Sequence, residues 1–368
     1  MENYLIKNLF INPDIKNSTF NSGLTKEELD LILEEHFERL LTEIKKVQPQ
    51  EAPEILKRGV RTAEAEWITN PKTADDFFLI AYSAQMDKKY DKALEYYQKT
   101  VALDHYDTAS YNNMGNTYFE GKRDYNKAIE CFIKVIKINP NYEAAYYNMG
   151  RVFQEVRDYN KAIECFKKTI KIKPDFVDAY NNMGISYANI KEYDMAIKCY
   201  EMAIRYKPDF AEAYYNMGLD YKQGKRDYNK AIECYNKAIL YMPNHVDAHF
   251  NKGCIYSEIK RYEEAVKCYE MAIQYKPDEI KAYFNMGYAL EELGFASDKK
   301  EFYFQAIKCY EKVVKYQPDF VGAYMNMGLI YIQIGGNINI KQGIDYIKLA
   351  SDLGSEEAKE WLKRNLHR

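Results

Sequence analysis

Apolar and polar positions along most of this chain repeat with two nested rhythms. In the stretch that begins at Val177, residues Tyr180, Met183, Gly184 and Tyr187 fall at i, i+3, i+4 and i+7, which is one face of an α-helix. The longer rhythm is carried by Gly115, Gly150, Gly184, Gly218, Gly253, Gly287 and Gly328, spaced 35, 34, 34, 35, 34 and 41 apart. Pro140, Pro174, Pro208, Pro243, Pro277 and Pro318 keep step, and Ala128, Ala162, Ala196, Ala231, Ala265 and Ala306 lie between glycine and proline. Three markers with one period make an internal repeat the organising feature of the chain. The pattern predicts two helices per period. The glycine and the alanine let the two approach closely, and the proline cannot continue the second helix and marks the boundary to the next unit. No unit can bury its apolar face alone, so the units stack, and stability approximates a sum of nearest-neighbour terms. The expected fold is an all-α solenoid.

The residues that carry this pattern, such as Ala-Tyr-Asn-Asn-Met-Gly-Ile-Ser-Tyr over Ala179–Tyr187, then Tyr193-Asp-Met-Ala-Ile197 and Pro208, resemble the tetratricopeptide repeat (TPR) family. The resemblance covers roughly residues 74–354 with seven close copies. It implies a right-handed superhelix of about seven to eight helix pairs with helical caps, the first helix of each pair lining the inner face. Departures from the pattern set the expected domains. Residues 74–107 read as a degenerate first repeat, with Ala81 in the glycine slot and Tyr106 in the proline slot. The array proper runs over 108–354, and the unit over 280–320 carries seven extra residues around Phe295–Glu301, expected as a long turn near 295–301 or as a lengthening of both helices. The last unit has Gly343 in the alanine slot, and Ser355 caps a closing helix within 355–368. Residues 1–24 are expected as an N-terminal arm, free or docked elsewhere. Over 25–73 a helical cap is expected, one helix opened by the Thr25/Glu28 capping box and running to Val47, a second over Glu51–Ile68.

Composition then removes function classes. Lys plus Arg number 52 and Asp plus Glu 55, a formal charge of −3, which lacks the cationic excess that nucleic-acid binding by counterion release requires. Helical-repeat RNA binding therefore ranks below protein binding. No run of eighteen apolar residues offers a spanning helix, and the opening segment has no basic start followed by an apolar core, so a cytoplasmic, reducing location is expected. Six of the seven cysteines, Cys131, Cys165, Cys199, Cys234, Cys268 and Cys309, share one repeat slot and read as helix-packing thiols; Cys254 alone lies elsewhere. No Cys-x-x-Cys occurs, and His36, His105, His245, His249 and His367 sit in no metal or nucleophile motif, so neither a metal nor a cofactor is expected. Gly115–Lys122 and Gly218–Lys225 imitate phosphate loops, but five residues separate their glycines and Arg follows the lysine where Ser or Thr must stand. No catalytic residue is assigned, and the chain reads as a non-enzyme.

What remains is a surface. Counted at about 100° per residue from the core tyrosine, Asp178, Asn182 and Asn189 point away from the packing face. The Asn182 slot is asparagine in every close repeat: Asn113, Asn148, Asn182, Asn216, Asn251, Asn285 and Asn326. An asparagine amide offers a donor and an acceptor to an extended backbone. With helices about 10 Å apart and about 3.3 Å per extended residue, one rung meets every third residue of a ligand. The row resembles the asparagine ladder of the TPR regions of O-linked N-acetylglucosamine transferase and kinesin light chain, which implies peptide contact. Flanking groove positions are Glu120, Glu155, Asn189, Gln223, Glu258 and Glu292, and a second slot holds Asn112, Tyr147, Asn181, Tyr215, Phe250, Phe284 and Met325. These favour apolar ligand side chains flanked by neutral or basic ones. Chaperone C-termini are set aside, because Asn112, Asp178 and Asn182 stand where a carboxylate clamp needs cations. The expected function is a protein-interaction scaffold or adaptor that holds an extended segment of a protein partner. The alternative is a structural subunit of a large ciliary or cytoskeletal assembly, contacted through residues 1–24 and the region near 298.

Overall fold

The computed structural model describes residues 71–366; the expected arm at 1–24 and the helices expected at 25–47 and 51–68 lie outside them. All regular structure among the described residues is helical, and the chain divides into two compact units, with the second beginning at Tyr106. In the first unit α1 (Ala74–Met86) packs on α2 (Tyr90–Leu103). Thr73 and Asp76 form a capping box: Asp76 N–H donates to Thr73 Oγ1 at 3.1 Å and Thr73 N–H to Asp76 Oδ2 at 3.0 Å. Phe78, Ala81, Ala93 and Tyr97 are buried between the two helices.

The second unit is a run of helix pairs. These are α3 (Thr108–Asn116) with α4 (Tyr125–Ile138), α5 (Glu143–Glu155) with α6 (Tyr159–Ile172), and α7 (Val177–Asn189) with α8 (Tyr193–Tyr206). There follow α9 (Ala211–Asp220) with α10 (Tyr228–Tyr241) and α11 (Val246–Glu258) with α12 (Tyr262–Tyr275). Next come α13 (Ile280–Ser297) with α14 (Lys300–Tyr316) and α15 (Val321–Ile334) with α16 (Asn337–Asp352). The closing helix α17 (Glu356–Leu366) follows, with Ala358 N–H donating to Ser355 Oγ at 3.1 Å.

The repeated glycine has a direct steric cause. A Cβ on Gly184 would stand 2.5 Å from Tyr200 Cε1, so the tyrosine ring of α8 rests on bare backbone of α7. Phe132, Phe166, Tyr235, Tyr269 and Tyr310 occupy the equivalent place against Gly115, Gly150, Gly218, Gly253 and Gly287. The alanine slot is wholly buried in each pair. In the last pair the aromatic is replaced by Ile347, and a Cβ on Gly343 would lie 2.6 Å from Gly328 O. Here backbone meets backbone, which is why the alanine slot has become glycine.

Differences in period appear as differences in helix geometry. The two units of 35 residues carry π-helical turns, Thr117–Lys122 after α3 and Tyr221–Lys225 after α9, which absorb the extra residue. Both phosphate-loop look-alikes end in these turns. The seven extra residues near 295–301 do not make a long turn. They extend α13 to 18 residues and α14 to 17, leaving only Asp298 and Lys299 between them. The reason is one more glycine–aromatic contact: a Cβ on Gly294 would meet Tyr303 Cε1 at 2.8 Å, repeating the Gly287–Tyr310 contact further along both helices.

Candidate functional site

The asparagine row lies on the first helix of each pair, and most of it is tied to the repeat before. Asn148 Nδ2 donates to Asn112 Oδ1 at 3.1 Å, Asn182 Nδ2 to Tyr147 Oη at 3.0 Å, Asn216 Nδ2 to Asn181 Oδ1 at 3.0 Å and Asn251 Nδ2 to Tyr215 Oη at 3.2 Å. Phe250 and Phe284 cannot accept. There Asn285 Nδ2 turns to Cys254 Sγ at 3.6 Å, and Asn326 Nδ2 to Tyr310 Oη at 3.1 Å. Asn113 is half-buried at the start of the row on α3. The donor half of these amides is thus engaged inside the protein. Their Oδ1 atoms receive no hydrogen bond from the described residues, and none of them is sealed from solvent. The row offers acceptors, held in orientation by the inter-repeat bonds.

The second slot, which supplies those acceptors, packs between repeats. Tyr147 lies 4.8 Å from the Phe176 ring, Tyr215 4.6 Å from the His245 ring and Phe284 4.9 Å from the Phe320 ring, centroid to centroid. Asn112, Asn181 and Met325 are buried, so this slot is an inter-repeat wedge more than a ligand surface. His249 fills a core-tyrosine place against Tyr275, with its Nε2 3.0 Å from Pro243 O, and burial lowers its pKa.

Of the flanking positions, Glu120, Glu155, Asn189, Gln223 and Glu258 are exposed and Glu292 is half-buried. Two of the carboxylates are neutralised across the repeat boundary, Glu120 by Arg151 Nη2 at 3.1 Å and Glu258 by Lys222 Nζ at 2.9 Å. Asn189 Nδ2 donates to Ile185 O of its own helix at 2.9 Å. Glu292 Oε2 accepts from Tyr262 Oη at 3.1 Å. Beside it burial holds the Glu291 carboxyl up at about 7, where it accepts from Tyr310 Oη at 3.2 Å.

The six slot cysteines are buried, and burial pushes Cys165, Cys199, Cys234 and Cys309 up to about 12, far from thiolate reactivity. Among the described residues no group of three or more His, Cys, Asp and Glu is placed to hold a metal ion, and no helix is long and apolar enough to cross a membrane. One feature escaped the sequence reading. Asp220 on α9 is buried, its Oδ2 has no partner, and burial raises its carboxyl to about 7.

Family models match this architecture along most of the repeat region. A TPR-repeat model matches residues 122–156 and 253–294, and tetratricopeptide-repeat models match 143–176, 177–210 and 228–267. A Sel1-repeat model matches 80–105, 108–135, 211–240 and 321–355, and the matches together extend over more than half of the chain. The chain belongs to the tetratricopeptide repeat family. Among solved structures, the C-terminal part of a TPR repeat-containing protein from Cytophaga hutchinsonii is similar at 18% identity and a TM-score of 0.55, over 68% of this chain and 99% of that one. MamA is similar at 28% identity and a TM-score of 0.41, over 44% of this chain and 94% of its own. YrrB, described as a TPR protein with an unusual peptide-binding site, has 21% identity and a TM-score of 0.41, over 50% of this chain and 95% of its own. No curated protein matches the chain.

Proposed function

We propose that this TPR protein is a non-catalytic scaffold or adaptor that holds an extended segment of a partner protein along the asparagine face of its first helices. The observation that carries the reading is the row Asn148, Asn182, Asn216, Asn251, Asn285 and Asn326, oriented through Nδ2, with Oδ1 atoms that receive no hydrogen bond among the described residues; Asn148 is buried and the other five are half-buried. An extended strand presents backbone N–H groups at regular spacing, and acceptors one repeat apart match such a register. Acidic and amide side chains at Glu120, Glu155, Asn189, Gln223, Glu258 and Glu292 flank the row and suit neutral or basic ligand residues.

The test compares affinity capture from the native cell by wild type, by Asn182→Ala/Asn216→Ala and by Tyr147→Phe/Tyr215→Phe. The first variant removes two open carbonyls together with their bridges. The second removes the acceptors of two bridges and leaves every asparagine of the row in place. Partners lost from the asparagine variant and kept by the tyrosine variant support the groove. An unchanged partner list, or equal loss from both, overturns it. The first of these would favour a lattice subunit contacted elsewhere, which is tested by deleting residues 1–24 and assaying incorporation.

A further inference from the structure

The lengthened helix α13 carries the first-helix face further than any other repeat. Tyr288 and Phe295 are seven residues apart and so share one side of the helix, with Glu292 between them and Glu291 adjoining. The opposite side, with Ala289, Leu290, Leu293 and Gly294, is buried against the rest of the pair. Tyr288 is 44% exposed and Phe295 75% exposed. The glycine–aromatic contact at Gly294 and Tyr303 maintains the additional helical length that presents Phe295.

Charge distinguishes this place from the Glu120 and Glu258 positions of the row, and its two adjoining carboxyl groups distinguish it from Glu155, which stands singly. Glu120 and Glu258 each face a cation from a neighbouring repeat. Glu291 and Glu292 make no ion pair among the described residues. Glu292 is met by the hydroxyls of Tyr262 and Tyr288. Around Glu291 stand Glu292 and Tyr288 of its own helix and Tyr303 and Tyr310 of α14, none of them a cation. Lys300, close by in sequence, is committed to the carbonyl of Ile334 at 3.0 Å. Two carboxyl groups without a counter-ion, between exposed aromatic rings, complement a Lys or Arg that can lie over a ring while its charge meets the carboxylates.

We propose that Tyr288, Glu291, Glu292 and Phe295 form an anchor site for a basic side chain, with an apolar side chain beside it, from an extended segment of a partner protein. This rests on the peptide-groove reading above. The basic head lies between Glu292 and Glu291 against the Tyr288 ring, and the apolar neighbour covers Phe295. Because burial holds Glu291 partly protonated near neutrality, an arriving cation draws its proton off, so binding strengthens as pH rises from about 5 to about 8.

The test is to pan a randomised twelve-residue peptide display library on the full chain, then on Glu291→Gln/Glu292→Gln and on Asn182→Ala/Asn216→Ala. Wild type is expected to enrich peptides with Lys or Arg beside an apolar residue. For a peptide so selected, the glutamine variant should bind roughly tenfold more weakly and lose the rise with pH, whereas Glu164→Gln, on the second helix α6, should leave it unchanged. Enrichment without a basic residue, or affinity unmoved by the glutamine pair, overturns the anchor and leaves the groove standing if the asparagine variant still loses the peptides. Failure to enrich any peptide overturns both.

Discussion

Asn182 fastens its repeat to the one before through Nδ2 and Tyr147, and its Oδ1 receives no hydrogen bond among the described residues. On the groove reading proposed above, fold and binding share one side chain. Tyr147→Phe should lower unfolding free energy by about 1 kcal/mol, the net contribution of one such hydrogen bond, as read from urea titration followed by circular dichroism. The asparagine row was legible in the sequence because helix periodicity places a residue on a face. Its partners were not, because they belong to the preceding repeat and differ in kind: Asn112, Tyr147, Asn181 and Tyr215, then Cys254 and Tyr310 where phenylalanine fills the slot. Asp220 was illegible for a related reason. Its slot holds Thr117, Val152, Ser186, Ile255, Ala289 and Ile330 elsewhere, and only burial turns an acid there into an anomaly. Its folded pKa of about 7 lies above the ordinary carboxylate value of 3.8, so the folded chain binds more protons than the unfolded one between them. The stability contributed by the neutral acid is full below pH 3.8 and is lost as pH rises through about 7. Asp220→Asn should accordingly raise the melting temperature at pH 8, with the gain shrinking as pH falls towards 5.

Helix pairs are set by what glycine permits. The Gly184 contact with Tyr200 leaves no room for a methyl group, and the ring it would strike is fully buried. Gly184→Ala should cost about 1–3 kcal/mol by overpacking. Gly294→Ala meets the Tyr303 ring in the same way but at the end of the α13–α14 pair. Its effect should stay local, and hydrogen exchange should show faster amides over 293–304 while those of α7 and α8 keep their rates. A regular spacing of 34 announced these contacts in the sequence. The irregular spacings announced only that something differs. Whether one extra residue becomes a loop or a π-helical turn, and whether seven become a turn or longer helices, depends on what the added residues can pack against. At 295–301 the answer lay in Gly294 and Tyr303, which repeat the glycine–aromatic pairing outside the period and so were not recognised as part of it.

The second unit gains its cohesion from neighbours, so its ends should be its weakest points. At the C-terminal end the apolar residues Met325, Ile347 and Ala350 are covered by Ala358, Trp361 and Leu362 of α17. Ser355 opens that helix, and Glu356 and Glu357 in its first turn with Lys363 and Arg364 in its last suit the helix dipole. A chain ending at Gly354 would leave Ile347 and Ala350, both fully buried in the intact protein, open to water. Were the array one cooperative core, exchange rates would change throughout. With nearest-neighbour coupling, the loss falls on α15 and α16, weakens through α13 and α14, and leaves α5 to α8 protected as before. Hydrogen exchange of the truncated chain against the full one separates the two cases. The same experiment bears on the asparagine row: Asn326 lies on α15 and Asn182 on α7, so truncation should weaken the C-terminal end of the row while the central rungs keep their bridges.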